Sequence, residues 1–292
     1  MAQLGHRLPQ NVQGDFYVDD TCIDCDACRQ IAPETFRDHG DQSSVGRQPT
    51  TSEETRRALM ALVACPTASI GTLSHRNARD GVQSFPTNVF DNVFFCGFTS
   101  EASFGAWSYL IVRAPEEGGN ILVDSPRFAG PLVKRIEAMG GVTEMFLSHR
   151  DDIADHAKFA AHFHCPRIMH EGDGAARLGI ERVVGGEVPV ALGLDLICIP
   201  TPGHTRGHQV LLYRHRALFT GDHLAWSPAR DTLIAFRDAC WYSWAVQTRS
   251  MERLLDYRFE WVLPGHGRIH HALASEMHEQ LERCVAWMKR TP

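Results

Sequence analysis

Four short apolar runs between residues 144 and 263 each end in a turn that carries histidine or aspartate. Residues 144–148 lead into HRDDIADH, with His149, Asp151, Asp152, Asp155 and His156. Residues 194–200 lead into TPGHTRGH, with His204. Residues 217–219 lead into TGDH, with Asp222, and residues 261–263 into PGHG, with His266. Runs this short and apolar read as buried strands. Helical spacing of apolar residues lies around them, at 131–139, 243–257 and 272–289. Alternating strands and helices predict an α/β domain built in layers. Such domains place their sites beyond strand ends, so the four turns are expected to meet at one sheet edge. Imidazole and carboxylate together suit zinc, iron or manganese. One such histidine is an ordinary surface residue; four motifs in this order predict a metal site.

A second constellation lies near the N-terminus. Cys22, Cys25 and Cys28 form C-x2-C-x2-C, and Cys65 precedes Pro66. A helix is predicted over 52–64, with Thr51 and Glu54 as its capping box. Three closely spaced thiolates plus a remote Cys-Pro match the ligation of one [4Fe-4S] cluster. A four-cysteine zinc site is the alternative, although zinc more often uses two separate C-x2-C pairs. Cys96, Cys165, Cys198, Cys240 and Cys284 have no spaced partner and are expected to be core or surface residues.

Composition excludes several classes. The chain has 292 residues, 43% hydrophobic and 22% charged, with a net charge of −6. That acidity argues against a nucleic-acid partner, which calls for a basic face. No apolar run approaches the ~18 residues of a membrane span, and MAQLGHRLPQ lacks the apolar core of a secretory signal. A cytoplasmic location without membrane attachment is therefore expected. There cysteines serve as metal ligands more often than in disulfides.

Residues 14–72, including YVDDTCIDCDACRQIAPETF and the later ACPT, resemble single-cluster bacterial ferredoxins. Residues 85–292 resemble the metallo-β-lactamase superfamily on PGHT, TGD and LPGHG. Together these imply an α/β fold, an αββα sandwich preceded by a small α+β ferredoxin-like domain. The expected division is 1–75, a linker at 76–84, and 85–292. The second resemblance implies two divalent metals; iron is preferred on the carboxylate in the first motif, with zinc or manganese as alternatives. His149, His204 and Asp222 would hold the first. Asp155, His156, Asp222 and His266 would hold the second, with Asp222 bridging. Asp124, in LVDSP, matches a supporting aspartate. The first motif departs from the family's H-x-H-x-D-H. A carboxylate, Asp151 or Asp152, replaces the second histidine, and the Asp155–His156 pair lies two residues late.

Two chemistries follow. A carboxylate in the first site favours iron, as in the related flavodiiron proteins, and the chain carries its own electron carrier. The leading expectation is a diiron oxidoreductase acting on O2 or a small oxidised molecule, fed by the cluster and by an external electron donor. The alternative is a hydrolase of an ester, thioester or phosphoester, with Asp222 in the metal centre and Asp152 shuttling a proton. The absence of a substrate-binding tail like that of glyoxalase II argues against that enzyme's thioester. A non-catalytic O2 or NO sensor is a third class. In the two enzymatic readings the partner is a small-molecule substrate.

Overall fold

The computed structural model describes residues 2–291 and divides into two compact units. One comprises the chain up to Val112 together with Ser125–Gly141; the other comprises Arg113–Asp124 and the chain from Val142 onward. Among the described residues no helix is long and apolar enough to cross a membrane.

In the first unit, strand Phe16–Val18 pairs antiparallel with Ile70–Thr72, and Phe36–Asp38 pairs with Ser43–Val45. Helix Ser52–Ala64 begins at the expected capping box. The Glu54 N–H donates to Thr51 Oγ1 at 3.1 Å, and the Thr51 N–H donates to Glu54 Oε2 at 3.3 Å. Its buried face is small at Ala58, Ala61 and Ala64, which permits close packing. The helix stops at Cys65, whose N–H still donates to Ala61 O at 2.9 Å, so the cysteine is delivered by a fixed helix end. The 76–84 stretch contains helix Arg79–Gln83, packed on the capped helix. Strands Thr87–Phe90, Val93–Phe95 and Tyr109–Ile111 form an antiparallel meander.

The second unit holds four parallel strands in the order Ile121–Val123, Glu144–Phe146, Arg167–His170 and Arg182–Val184. It also holds a six-stranded sheet: Val190–Gly193, Leu196–Pro200, Gln209–Tyr213, Ala217–Gly221, Trp261–Pro264 and His270–His271. Leu196–Pro200 and Ala217–Gly221 both run antiparallel to Gln209–Tyr213, and Trp261–Pro264 runs parallel to Ala217–Gly221. These three strands therefore end on one edge, which is why His204, Asp222 and His266 emerge together. Helices Trp244–Leu254 and Ala274–Arg290 bury Met251, Leu254, Leu281 and Met288 against Val210, Leu218 and neighbouring core residues. At the site edge Gln209 donates to both Leu147 O and Ser148 O, joining the two sheets. The strand expected over 144–148 ends at Phe146 because the Ser148 N–H turns to the Asp124 carboxylate instead of a neighbouring strand.

Candidate functional site

Six side chains from four turns of the second unit converge. His149, His204 and Asp222 each offer an atom within 4.8 Å of the others, and so do Asp152, Asp222 and His266. Asp222 belongs to both groups. Its Oδ2 lies 3.7 Å from His149 Nε2, 3.7 Å from His204 Nε2 and 3.8 Å from His266 Nε2. Asp151 Oδ2 approaches His204 Nε2 at 3.6 Å and His149 Nε2 at 4.0 Å from a side chain that is 43% exposed. Gly265 makes room for the carboxylates: a Cβ there would lie 2.5 Å from Asp152 Oδ2 and 2.9 Å from Asp222 Oδ1.

Two residues of the sequence expectation stand outside these groups. Asp155 pairs with Lys158 at 2.7 Å, and His156 Nδ1 faces Arg167 Nη1 at 3.1 Å. They open helix His156–Phe163. Asp152 takes the place expected for them. It is buried and part of a converging donor group, whereas its neighbour Asp151 reaches solvent.

The donor set fits metal ions. Burial pushes the Asp152 carboxyl well above its usual value, with Asp222 adding like-charge repulsion. Burial also pulls His149 down to about 4, so its imidazole is neutral, as a ligand must be. His149 Nε2, His204 Nε2, Asp152 Oδ2 and Asp222 Oδ1 are buried without a hydrogen-bond partner. Buried polar atoms are normally satisfied; clustered lone pairs of this kind call for cations. Ser148 Oγ hydrogen-bonds His149 Nδ1 at 2.9 Å, which leaves Nε2 facing the centre.

The cysteines form the second candidate site. Cys22, Cys25, Cys28 and Cys65 line one cavity with Val18 and Ile70, and none is in a disulfide. Left-handed backbone at Asp24 (φ 57°) and Asp26 (φ 63°) folds the C-x2-C-x2-C loop back on itself. Arg29 ties the loop together through Asp24 (3.0 Å), Asp26 (2.5 Å) and Asp38 (3.3 Å). Backbone donors face sulfur, among them Ser43 N to Cys22 Sγ at 3.4 Å and Ser69 N to Cys65 Sγ at 3.3 Å. Burial pushes the Cys25 thiol up to about 12, so a positive cluster core is what would hold it as thiolate. Gly105, at φ +83°, completes the wall: a Cβ there would lie 2.6 Å from Cys25 Cβ.

The sequence reading missed Arg29, Gly265 and Asp173. Asp173 is buried and hydrogen-bonds the turns of both His149 and His204. Its GDG context signals only a turn, and nothing local marks its long-range partners.

Comparison with known proteins agrees with both halves. Residues 18–72 match the family described as the 4Fe-4S single cluster domain of ferredoxin I. The hydroxyacylglutathione hydrolase of Rhodopseudomonas palustris (strain HaA2) is 32% identical over 124 residues, 40% of this chain and 48% of that protein. That of Salmonella arizonae is 32% identical over 122 residues, 40% of this chain and 47% of that protein. The chain thus spans about half the length of the curated relatives it matches. Among solved structures, a metallo-β-lactamase from Pontibacter korlensis superposes with a TM-score of 0.53 at 16% identity, covering 70% of this chain and 98% of that one. The BLEG-1 B3 metallo-β-lactamase does so with a TM-score of 0.51 at 16% identity, covering 67% and 99%. One chain therefore carries a single-cluster ferredoxin segment at its N-terminus and, beyond it, the metallo-β-lactamase fold.

Proposed function

We propose that the chain is a metal-dependent hydrolase of an ester or thioester, working at a dinuclear centre that shares Asp222. The observation that carries this reading is the convergence of two three-residue donor groups on one buried carboxylate. His149, His204 and Asp222 would hold one ion, with Asp151 facing them. Asp152, Asp222 and His266 would hold the other. Ions bound there polarise a carbonyl and bring water to a near-neutral pKa. The protein's own part is to hold the donors and move the proton. Asp151 reaches solvent, and the His204 imidazole 3.6 Å away keeps its carboxyl below the usual range. It is the group placed to pass a proton between the centre and water. Trp241 stands 6.3 Å from His204, ring to ring, and is 62% exposed, an apolar wall for a small organic substrate. The relatives named as hydroxyacylglutathione hydrolases support thioester hydrolysis.

A second reading, a diiron oxidoreductase, rests on a different observation. Asp151, Asp152 and Asp222 stand with the three histidines of the two donor groups, an oxygen-rich set that suits iron or manganese better than zinc. A cluster on the same chain would also raise the effective concentration of electrons.

One experiment separates the two. Wild type and Cys25→Ser are assayed against a panel of esters and thioesters, and for reductant-dependent O2 consumption. Hydrolysis that survives in Cys25→Ser supports the hydrolase. No hydrolysis by wild type, with O2 consumption that Cys25→Ser abolishes, contradicts it and supports the oxidoreductase.

A further inference from the structure

Metal-binding histidines are usually oriented through their second ring nitrogen. His149 obeys this rule through Ser148 Oγ. His204 does not: its ring is 1% exposed, and its Nδ1 is buried without a hydrogen-bond partner. Its ring must therefore be placed through its backbone and its packing. The backbone is held from two sides. The Trp241 and Tyr242 N–H groups donate to His204 O at 2.9 and 3.0 Å. On the other side stands Asp173, in the short turn Glu171–Asp173 that follows strand Arg167–His170.

Asp173 is 3% exposed, and its carboxylate accepts three hydrogen bonds. Oδ2 accepts from Arg150 N at 3.0 Å and from Thr205 Oγ1 at 2.7 Å. Oδ1 accepts from Gly207 N at 2.7 Å. Arg150 directly follows His149, and Thr205 directly follows His204. One buried carboxylate thus fastens the residue after each histidine of the first donor group, across turns that leave different sheets. Hydrogen bonds to an ionised acceptor are short and strong, and a buried charge without them is costly. The two turns therefore have one favourable spacing, the one that satisfies all three bonds. At that spacing the His149 and His204 rings meet edge to face, 4.7 Å between centroids at 89°.

We propose that Asp173 is a positioning residue for the first donor group. It sets the His149–His204 separation through their backbones, and so governs affinity for the ion between them. This rests on the metal-centre reading above.

The test uses the full chain with its cluster in place, handled without air. The histidine–aspartate centre is stripped by dialysis against a chelator and titrated with zinc by calorimetry, for wild type and Asp173→Asn. The carboxamide can accept on one side only and turns an N–H toward a donor on the other. One of two zinc-binding steps is expected to weaken about 10–100-fold, the range for losing an outer partner of a ligand, while the other keeps its wild-type affinity. Thermal melting of the stripped proteins reports the fold separately. A lower melting temperature with both zinc steps unchanged makes Asp173 merely structural and overturns the proposal. If Asp173→Asn does not fold, Thr205→Val removes one of the three donors at constant size. It is expected to weaken the same step, and an unchanged step overturns the proposal. If wild type itself takes up no zinc, the metal-centre reading fails and the proposal falls with it. Two wild-type steps that are both untouched in the variants refute the proposal alone.

Discussion

The Asp124 carboxylate accepts a 2.7 Å hydrogen bond from the backbone N–H of Ser148. The two residues lie just past the ends of neighbouring parallel strands, Ile121–Val123 and Glu144–Phe146. The residue after Ser148 is His149, so this bond fixes where the turn carrying His149 begins. Replacing Asp124 with Ala leaves a buried N–H without an acceptor, which costs about 1–3 kcal/mol. Denaturant unfolding of Asp124→Ala is expected to show a loss of that size, with fewer ions retained at the centre. Asp124→Asn keeps one acceptor and is expected to lose less.

Asp152 and the Asp155–His156 pair make a sharper contrast. Asp152→Asn is expected to lower the ions bound beyond the cluster from two toward one, by elemental analysis after gel filtration. Asp155→Asn and His156→Gln are expected to leave both. Loss of an ion in His156→Gln with none in Asp152→Asn would restore the donor set that the family pattern suggests.

Much of this site was legible in the sequence. His204, Asp222 and His266 each follow a strand whose apolar run marks its end, so the strand-end pattern put them on one edge, and the metallo-β-lactamase resemblance implied their roles. The helix at Ser52–Ala64 was legible because its capping chemistry is local. The first motif was not, because HRDDIADH offers three carboxylates and two histidines to one turn. Which of them point inward depends on where helix His156–Phe163 starts, and Arg167, from the next strand, engages His156 there. Asp173 and Arg29 were invisible for a related reason: their roles come from partners brought close only by the fold.

Gly105 gives a test of the cluster wall. Its φ of +83° and the 2.6 Å approach of a Cβ to Cys25 leave no space for a side chain. Gly105→Ala is expected to lower iron and sulfide content and to shorten the lifetime of the visible absorbance in air. Gly40→Ala, at φ +82° with nothing within 4 Å of its Cβ, carries the same backbone strain without the contact and is expected to keep wild-type iron and sulfide content.

Helix Ser52–Ala64 carries Cys65 at its end, so its start matters to the cluster. Thr51→Ala removes the side-chain acceptor of the capping box. Such caps are worth about 1 kcal/mol. A stability loss of that order is expected by denaturant titration, together with faster bleaching of the cluster. Bleaching unchanged from wild type would separate the cap from the cluster.

The central claim is one cluster and one dinuclear centre on a single chain. Its most direct test is iron, zinc, manganese and sulfide per chain, measured on protein purified without air. The account predicts about four irons and about four sulfides for the cluster, and about two further ions of iron, zinc or manganese for the shared-aspartate centre. Those two ions are expected to be lost when Asp222 and His266 are replaced together, while the sulfide stays. Metal that never exceeds the cluster's own iron would contradict it.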